Sequence, residues 1–148
     1  MFYHLTRSSA EETARLLIDK ARGQRWNVMI RGTDPEALDR LDARLWLEPA
    51  DRFLPHGREG GPQDARQPVL LGRGPIVNDA KGLILIDSAD VTEAEARALE
   101  RVFVLFDAAR PDRLGFARSQ WKRLTEAGLP AQYWSEESGR WEKKAEKG

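Results

Sequence analysis

Short apolar runs alternate with capped, amphipathic stretches along this chain, and that alternation restricts the fold more than any single residue does. Phe2 to Leu5 is an apolar and aromatic run that reads as a first strand. Ser9-Ala10-Glu11-Glu12 follows as a capping box, in which the Ser9 hydroxyl accepts from the Glu12 amide while the Glu12 carboxylate reaches back. Ala14, Leu17, Ile18 and Ala21 then share one helical stripe that stops at Gly23. Trp26 to Ile30 predicts a second strand, and Asp34-Pro35 opens a second helix along Ala37, Leu38, Leu41 and Leu45. Strand, helix, strand, helix in this order predicts a parallel sheet built with right-handed crossovers.

The same grammar continues downstream. Pro68 to Leu71 and Leu83 to Ile86 are short apolar runs bounded by Gly, Pro and Asp, and read as interior strands. Thr92 to Leu99 predicts a helix opened by Asp90 or Thr92, and Val102 to Phe106 is the most strand-like run of all. Pro111 and Asp112 open a last long helix to Glu126, stopped by Gly128 and Pro130. Ala131 to Trp134 and Arg140 to Trp141 flank the polar SEESG, which predicts a small hairpin or edge strand. The expectation is one domain over residues 1–141, followed by a charged, frayed tail over 142–148.

At 148 residues one domain buries roughly two thirds of the surface of its unfolded chain. The absence of cysteine excludes disulfides, thiolate zinc sites and a cysteine nucleophile, and fits a reducing cytoplasm. No long apolar run or signal-like N-terminus points to a membrane or to export. Lys plus Arg equals Asp plus Glu, at 24 each, so the chain lacks the positive surplus on which non-specific nucleic-acid binding relies.

One segment breaks the alternation. Leu45 to His56, LWLEPADRFLPH, packs Trp46, Phe53, Pro49 and Pro55 into twelve residues. Each proline removes an amide donor and pushes its predecessor toward extended backbone, so this is a fixed, irregular crossing segment. Its two aromatics either plug the chain's own core or stand out as anchors for another protein. Gly57 to Gln67, GREGGPQDARQ, has the composition of an exposed, mobile loop.

A catalytic site is hard to assemble from these residues. The turn after the first strand, Thr6-Arg7-Ser8-Ser9, has no glycine through which amides could approach a pyrophosphate. Gly57 to Gly61 lacks the lysine and hydroxyl residue of a phosphate loop, and Gly72-Arg73-Gly74 runs into Pro75, which has no amide. His4 has no ligand partner at short spacing, and the His56 and Glu59 pair sits where no helix would align it, so no metal is expected. Asp87 and Asp107 end apolar strands, where α/β enzymes place catalytic acids, but such residues also cap the next element. A small nucleotide- or phosphate-ester-handling enzyme with its ligand near Ser88 or Asp107 is the alternative these strand ends allow.

The last predicted helix carries more information. Arg110, Arg113, Arg118, Lys122 and Arg123 face only Asp112 over the same stretch. At about 100° per residue, Leu114, Arg118, Trp121 and Thr125 fall within one arc with Lys122 at its edge. Such a face can receive an apolar residue carrying negative charge, such as a peptide's C-terminal Phe with its free carboxylate. Equally, Trp121 and Leu114 can face the core while the cations reach into water.

Four stretches, FYHL at the N-terminus, LDARLWLEPADRFLPHGREGG, LILID, and RSQWKRLTEAG from Arg118 to Gly128, resemble the chi subunit of the bacterial DNA polymerase III clamp-loader assembly. The W, P, F, PH order of the crossing segment is the most specific part. The resemblance implies a single three-layer α/β domain with a mostly parallel central sheet, similar in layout to nucleotide-binding folds, that is not an enzyme and needs no cofactor. It implies a replisome adaptor that links the clamp loader, through a psi subunit or an equivalent partner, to the acidic C-terminal tail of single-stranded DNA-binding protein. Nucleic acid would be reached only indirectly, and no membrane is involved. By position, Trp46, Phe53 and Pro55 resemble the surface that grips psi or a helicase. Arg118, Trp121 and Lys122 resemble the tail pocket, with Arg118 meeting carboxylates and Trp121 walling the apolar slot. Trp121 stands where a Tyr is familiar, and Leu114 where the family has a second basic residue, so Arg113 or Arg110 would take that role. Phe106 or Asp107 would supply an apolar wall.

Overall fold

The computed structural model describes residues 1–6, 9–46, 56–61, 64–107, 109–136 and 141–147. Its strands are β1 (Phe2–Leu5), β2 (Val28–Arg31), β3 (His56–Arg58), β4 (Val69–Gly72), β5 (Gly82–Leu85), β6 (Arg101–Asp107), β7 (Ala131–Ser135) and β8 (Glu142–Lys147). Its helices are α1 (Ala10–Gly23), α2 (Pro35–Trp46), α3 (Glu93–Ala98) and α4 (Pro111–Glu126). The strands form one sheet in the order β3-β4-β2-β5-β6-β1-β7-β8. All neighbours run parallel except β7 and β8.

Helices start where the sequence supplies a cap. Ser9 Oγ accepts from the Glu12 amide, and Asp34 Oδ1 accepts from the Glu36 amide ahead of Pro35. At α3 the reciprocal box is complete, and the residue that opens the helix is Thr92, not Asp90. Val28 to Arg31, Val69 to Gly72 and Gly82 to Leu85 are buried throughout, as strands covered on both faces must be.

Alternate strand residues feed two cores, which makes three layers. Leu17, Ile18, Leu38 and Leu41 of α1 and α2 pack with Val28, Ile30, Leu71 and Ile84 on one face. Ala117 and Leu124 of α4, with Ala96 of α3 and Leu99 just after it, pack with Phe2, Met29, Leu83, Val104 and Phe106 on the other. Each fully buried Leu, Ile or Met here contributes roughly 1.5–3 kcal/mol relative to exposure.

Two stretches depart from the sequence expectation. The glycine-rich stretch read as a mobile loop begins as strand β3, parallel to β4, and includes a 3-10 turn at Asp64–Arg66. The Asp64 carboxylate accepts from the amides of Gly60 and Gly61 at 2.8 and 3.0 Å. Glu59 accepts from the amides of Arg73 and Gly74 at 2.6 and 3.2 Å, tying the end of β3 to the turn after β4. The charged run expected to fray, from Glu142 to Lys147, pairs antiparallel to β7 as an edge strand. Its register places Ala145 opposite Tyr133 and Lys143 opposite Trp134, and its charges suit an edge exposed to water.

Candidate functional site

Helix α4 starts on Pro111 at its first turn, with Arg110 as an uncapped N-cap, and crosses the sheet over β6, β1 and β7. Ala117, Gln120 and Leu124 form its buried stripe. Leu114 and Trp121 flank that stripe and are half-buried, while Arg118 and Lys122 stand in solvent. Trp121 and Leu114 thus pack on the core while Arg118 and Lys122 reach into water, and Trp121 still reaches the surface.

The packing of Trp121 is specific. Its ring lies 5.4 Å from Phe2 at 71° and 6.1 Å from Tyr133 at 80°, both edge-to-face. Tyr133 also approaches His4 and Phe106, each at 5.8 Å. His4 lies 5.4 Å from Phe106, next to it across the β1–β6 pairing. Phe106 is only 4% exposed, so it is the floor of this cluster. The Tyr133 hydroxyl and His4 Nδ1 share a hydrogen bond of 2.5 Å.

Electrostatics divide the cations of α4 into two sets. Arg113 Nη1 pairs with Asp87 Oδ1 at 2.9 Å. Arg123 forms a fork to both Asp90 oxygens at 2.7 and 2.9 Å and also donates to the Val91 carbonyl. The hydrogen bond from Arg123 holds the Asp90 carboxyl down at about 2, against a desolvation that pushes the other way. Gln120 Nε2 donates to the Ala89 carbonyl and to Asp90 Oδ1, so the buried stripe is tied to the same loop. Arg118 and Lys122, by contrast, make no ion pair among the described residues. Of the two residues suggested to assist Arg118, Arg113 is engaged with Asp87, roughly 140° round the helix from Arg118. Arg110 lies two turns before Arg118 and lines a cavity at the strand ends.

A cavity of about 330 Å³ sits at the C-terminal ends of β1 and β6 and is lined by Thr6, Ser9, Glu11, Asp87, Asp107 and Arg110 among others. Asp87 is held by Arg113, and Asp107 Oδ1 accepts from the Ala109 amide at 2.9 Å. Asp87 and Ser88 both have positive φ, 54° and 58°, and the Ala89 amide closes their turn on the Ile86 carbonyl at 2.9 Å. Among the described residues no three His, Asp or Glu side chains converge as a metal site.

The sequence reading of the tail pocket brought together Arg118, Trp121, Lys122, Leu114 and Phe106; the structure puts Leu114, Trp121 and Phe106 in one cluster, leaves Arg118 exposed on α4, and has Lys122 line a pocket with Glu93, Arg123 and Glu126. It missed Tyr133 and the roles of Phe2 and His4. Alternation along β1 and β7 was the available signal, because it puts Phe2, His4 and Tyr133 on the α4 face. Trp46 closes α2, which packs on β3 and β4 at the far edge of the sheet from β7. Phe53 and Pro55 lie outside the described residues.

Comparison with known proteins agrees over most of the chain. Residues 1–132 match the family described as DNA polymerase III chi subunit, HolC. The DNA polymerase III subunit chi of Pseudomonas aeruginosa is 30% identical over 133 residues, covering 82% of this chain and 92% of that protein. The probable DNA polymerase III subunit chi of Rickettsia prowazekii is 28% identical over 94 residues, which is 62% of this chain and 56% of that protein. With an α/β fold on a mostly parallel sheet and a family match over nearly its full length, the chain belongs to the DNA polymerase III chi subunit family, whose members are accessory subunits of replication.

Proposed function

We propose that this chain is a non-catalytic adaptor that links the DNA polymerase III clamp loader to the acidic C-terminal tail of single-stranded DNA-binding protein, in the cytoplasm. The observation that carries the reading is the division of charge on α4. Arg113 and Arg123 are paired internally, whereas Arg118 and Lys122, exposed on the helix that carries the half-buried Trp121, make no ion pair among the described residues. A cation without an internal carboxylate, next to an apolar ring, suits a peptide that ends in an apolar side chain and a carboxylate. Trp121 walls the slot, Leu114 extends it, and Phe106 supports it from below.

The clamp-loader side is assigned to the other edge of the sheet, where Trp46 closes α2 and Phe53 and Pro55 follow in the crossing segment. The partner there is psi or an equivalent clamp-loader or helicase subunit, gripped by aromatic anchors. Single-stranded DNA is then contacted only through its binding protein.

The test is calorimetric titration with a short acidic peptide ending in Pro-Phe. Arg118→Ala should lower affinity by about 1.5 to 3 kcal/mol, the range for a hydrogen bond to a charged group, without unfolding the protein. Deleting the terminal Phe should abolish binding, and raised salt should weaken it. Wild-type affinity in Arg118→Ala would rule out the site.

A further inference from the structure

We infer that Tyr133 is a specificity-determining residue of the tail site, selecting a peptide whose last side chain is aromatic over one whose last side chain is saturated and of equal size. The inference rests on the tail-binding reading above and deepens it.

Strand β7 directs Tyr133 to the face of the sheet that α4 covers, where it joins the core cluster of Phe2, Phe106 and Leu124. Its ring stands at 80° to Trp121 and 67° to His4. The hydroxyl, bonded to His4 Nδ1, holds the ring against rotation and ties β7 to β1 across the cluster. Tyr133, Trp121 and His4 are all half-buried, so this arrangement of near-perpendicular rings is partly presented to solvent, with Trp121 one helical turn from the exposed Arg118.

Aromatic rings carry a negative face and a positive edge, and favour edge-to-face contact. Two rings already held near 80° present a face and an edge side by side. A third aromatic ring can complement both, while a saturated ring of the same shape gains only the buried area. The expected preference is about 3- to 10-fold, the measured worth of such pairs beyond area burial. Arg118 and Lys122 attract the peptide's carboxylates whatever its last side chain is, so charge sets whether the tail binds and Tyr133 sets which tail binds best.

The experiment titrates the full chain with two acidic peptides that differ only in the last residue, phenylalanine or cyclohexylalanine. Wild type and Tyr133→Phe should favour the phenylalanine peptide by about 3- to 10-fold. Tyr133→Leu, which keeps the Trp121 ring, should narrow that preference by at least about 2-fold. Taking the ratio on one protein sample cancels any difference in active fraction, and the wild-type arm needs no variant to fold. Equal affinities on wild type, or a preference undiminished in Tyr133→Leu, would overturn the role of Tyr133. Failure of the phenylalanine peptide to bind wild type at all would instead overturn the tail-binding reading itself.

Discussion

Replacing Trp121 by Ala should register on two independent scales. A fully buried Trp→Ala change costs about 3–5 kcal/mol, and half burial brings this to about 2. The edge-to-face contacts with Phe2 at 5.4 Å and Tyr133 at 6.1 Å add roughly 0.5 each at the low end of their range. The total, about 2–3 kcal/mol, corresponds to a melting temperature lower by about 5–10 °C for a chain of this size. Affinity for the acidic peptide should also fall, by the apolar contact the terminal side chain loses, about 1–2 kcal/mol. Urea unfolding reads the first quantity and calorimetry on the folded variant reads the second. Trp121→Phe should recover most of the stability. If Trp121→Ala melts within about 1 °C of wild type, the ring is not packed on β1 and β7 and the reasoning fails.

Two further outcomes follow from the loops. A methyl group at Gly72 would sit 2.2 Å from Glu59 Cδ, so Gly72→Ala should eject that carboxylate from the amides of Arg73 and Gly74. The expected cost is about 2 kcal/mol, two charge-assisted hydrogen bonds less the gain from removing a strand glycine. Glu59→Ala should then add almost nothing in the Gly72→Ala background, and additive costs in urea unfolding would refute the link. The Asp90 carboxyl is lowered from 3.8 to about 2, chiefly by the Arg123 hydrogen bond. A depressed carboxylate stabilises the fold above its unfolded value, so this contribution should be lost as pH falls from about 4 through 2. With both side chains more than 40% exposed, it amounts to less than about 1 kcal/mol. Asp90→Asn should flatten that part of the acid-unfolding curve, and an unchanged curve would contradict the assignment.

Much of the architecture was readable because it is written locally. Caps at Ser9 and Thr92, Pro35 and Pro111 at helix starts, and buried runs such as Leu83–Leu85 each act within a few residues. Strand β3 was not readable, since three residues cannot display a period and its ladder is supplied by β4. Strand β8 hid for the opposite reason, being long enough but so charged that alternation does not show. The proposed tail site was half legible. Arg118 and Trp121 share one helix and can be placed by angle alone, whereas the contact of His4 with Tyr133 joins residues 129 apart. Nothing local marks such a pair.

The position of β1 also has a consequence for synthesis. It lies between β6 and β7 and pairs with Val104 to Asp107 on one side and Tyr133 to Ser135 on the other. During synthesis β1 therefore waits for β6 until some hundred further residues have been made, about 5–20 s at typical elongation rates, and for β7 longer still. Throughout that interval Phe2, Tyr3 and Leu5 have no sheet to join, while β2, β4 and β5 can already associate among themselves. Late closure of this kind favours slow folding, dominated by contacts distant in sequence. The flank of α4 that carries Trp121 can come into being only after β7 has been made and has docked against β1.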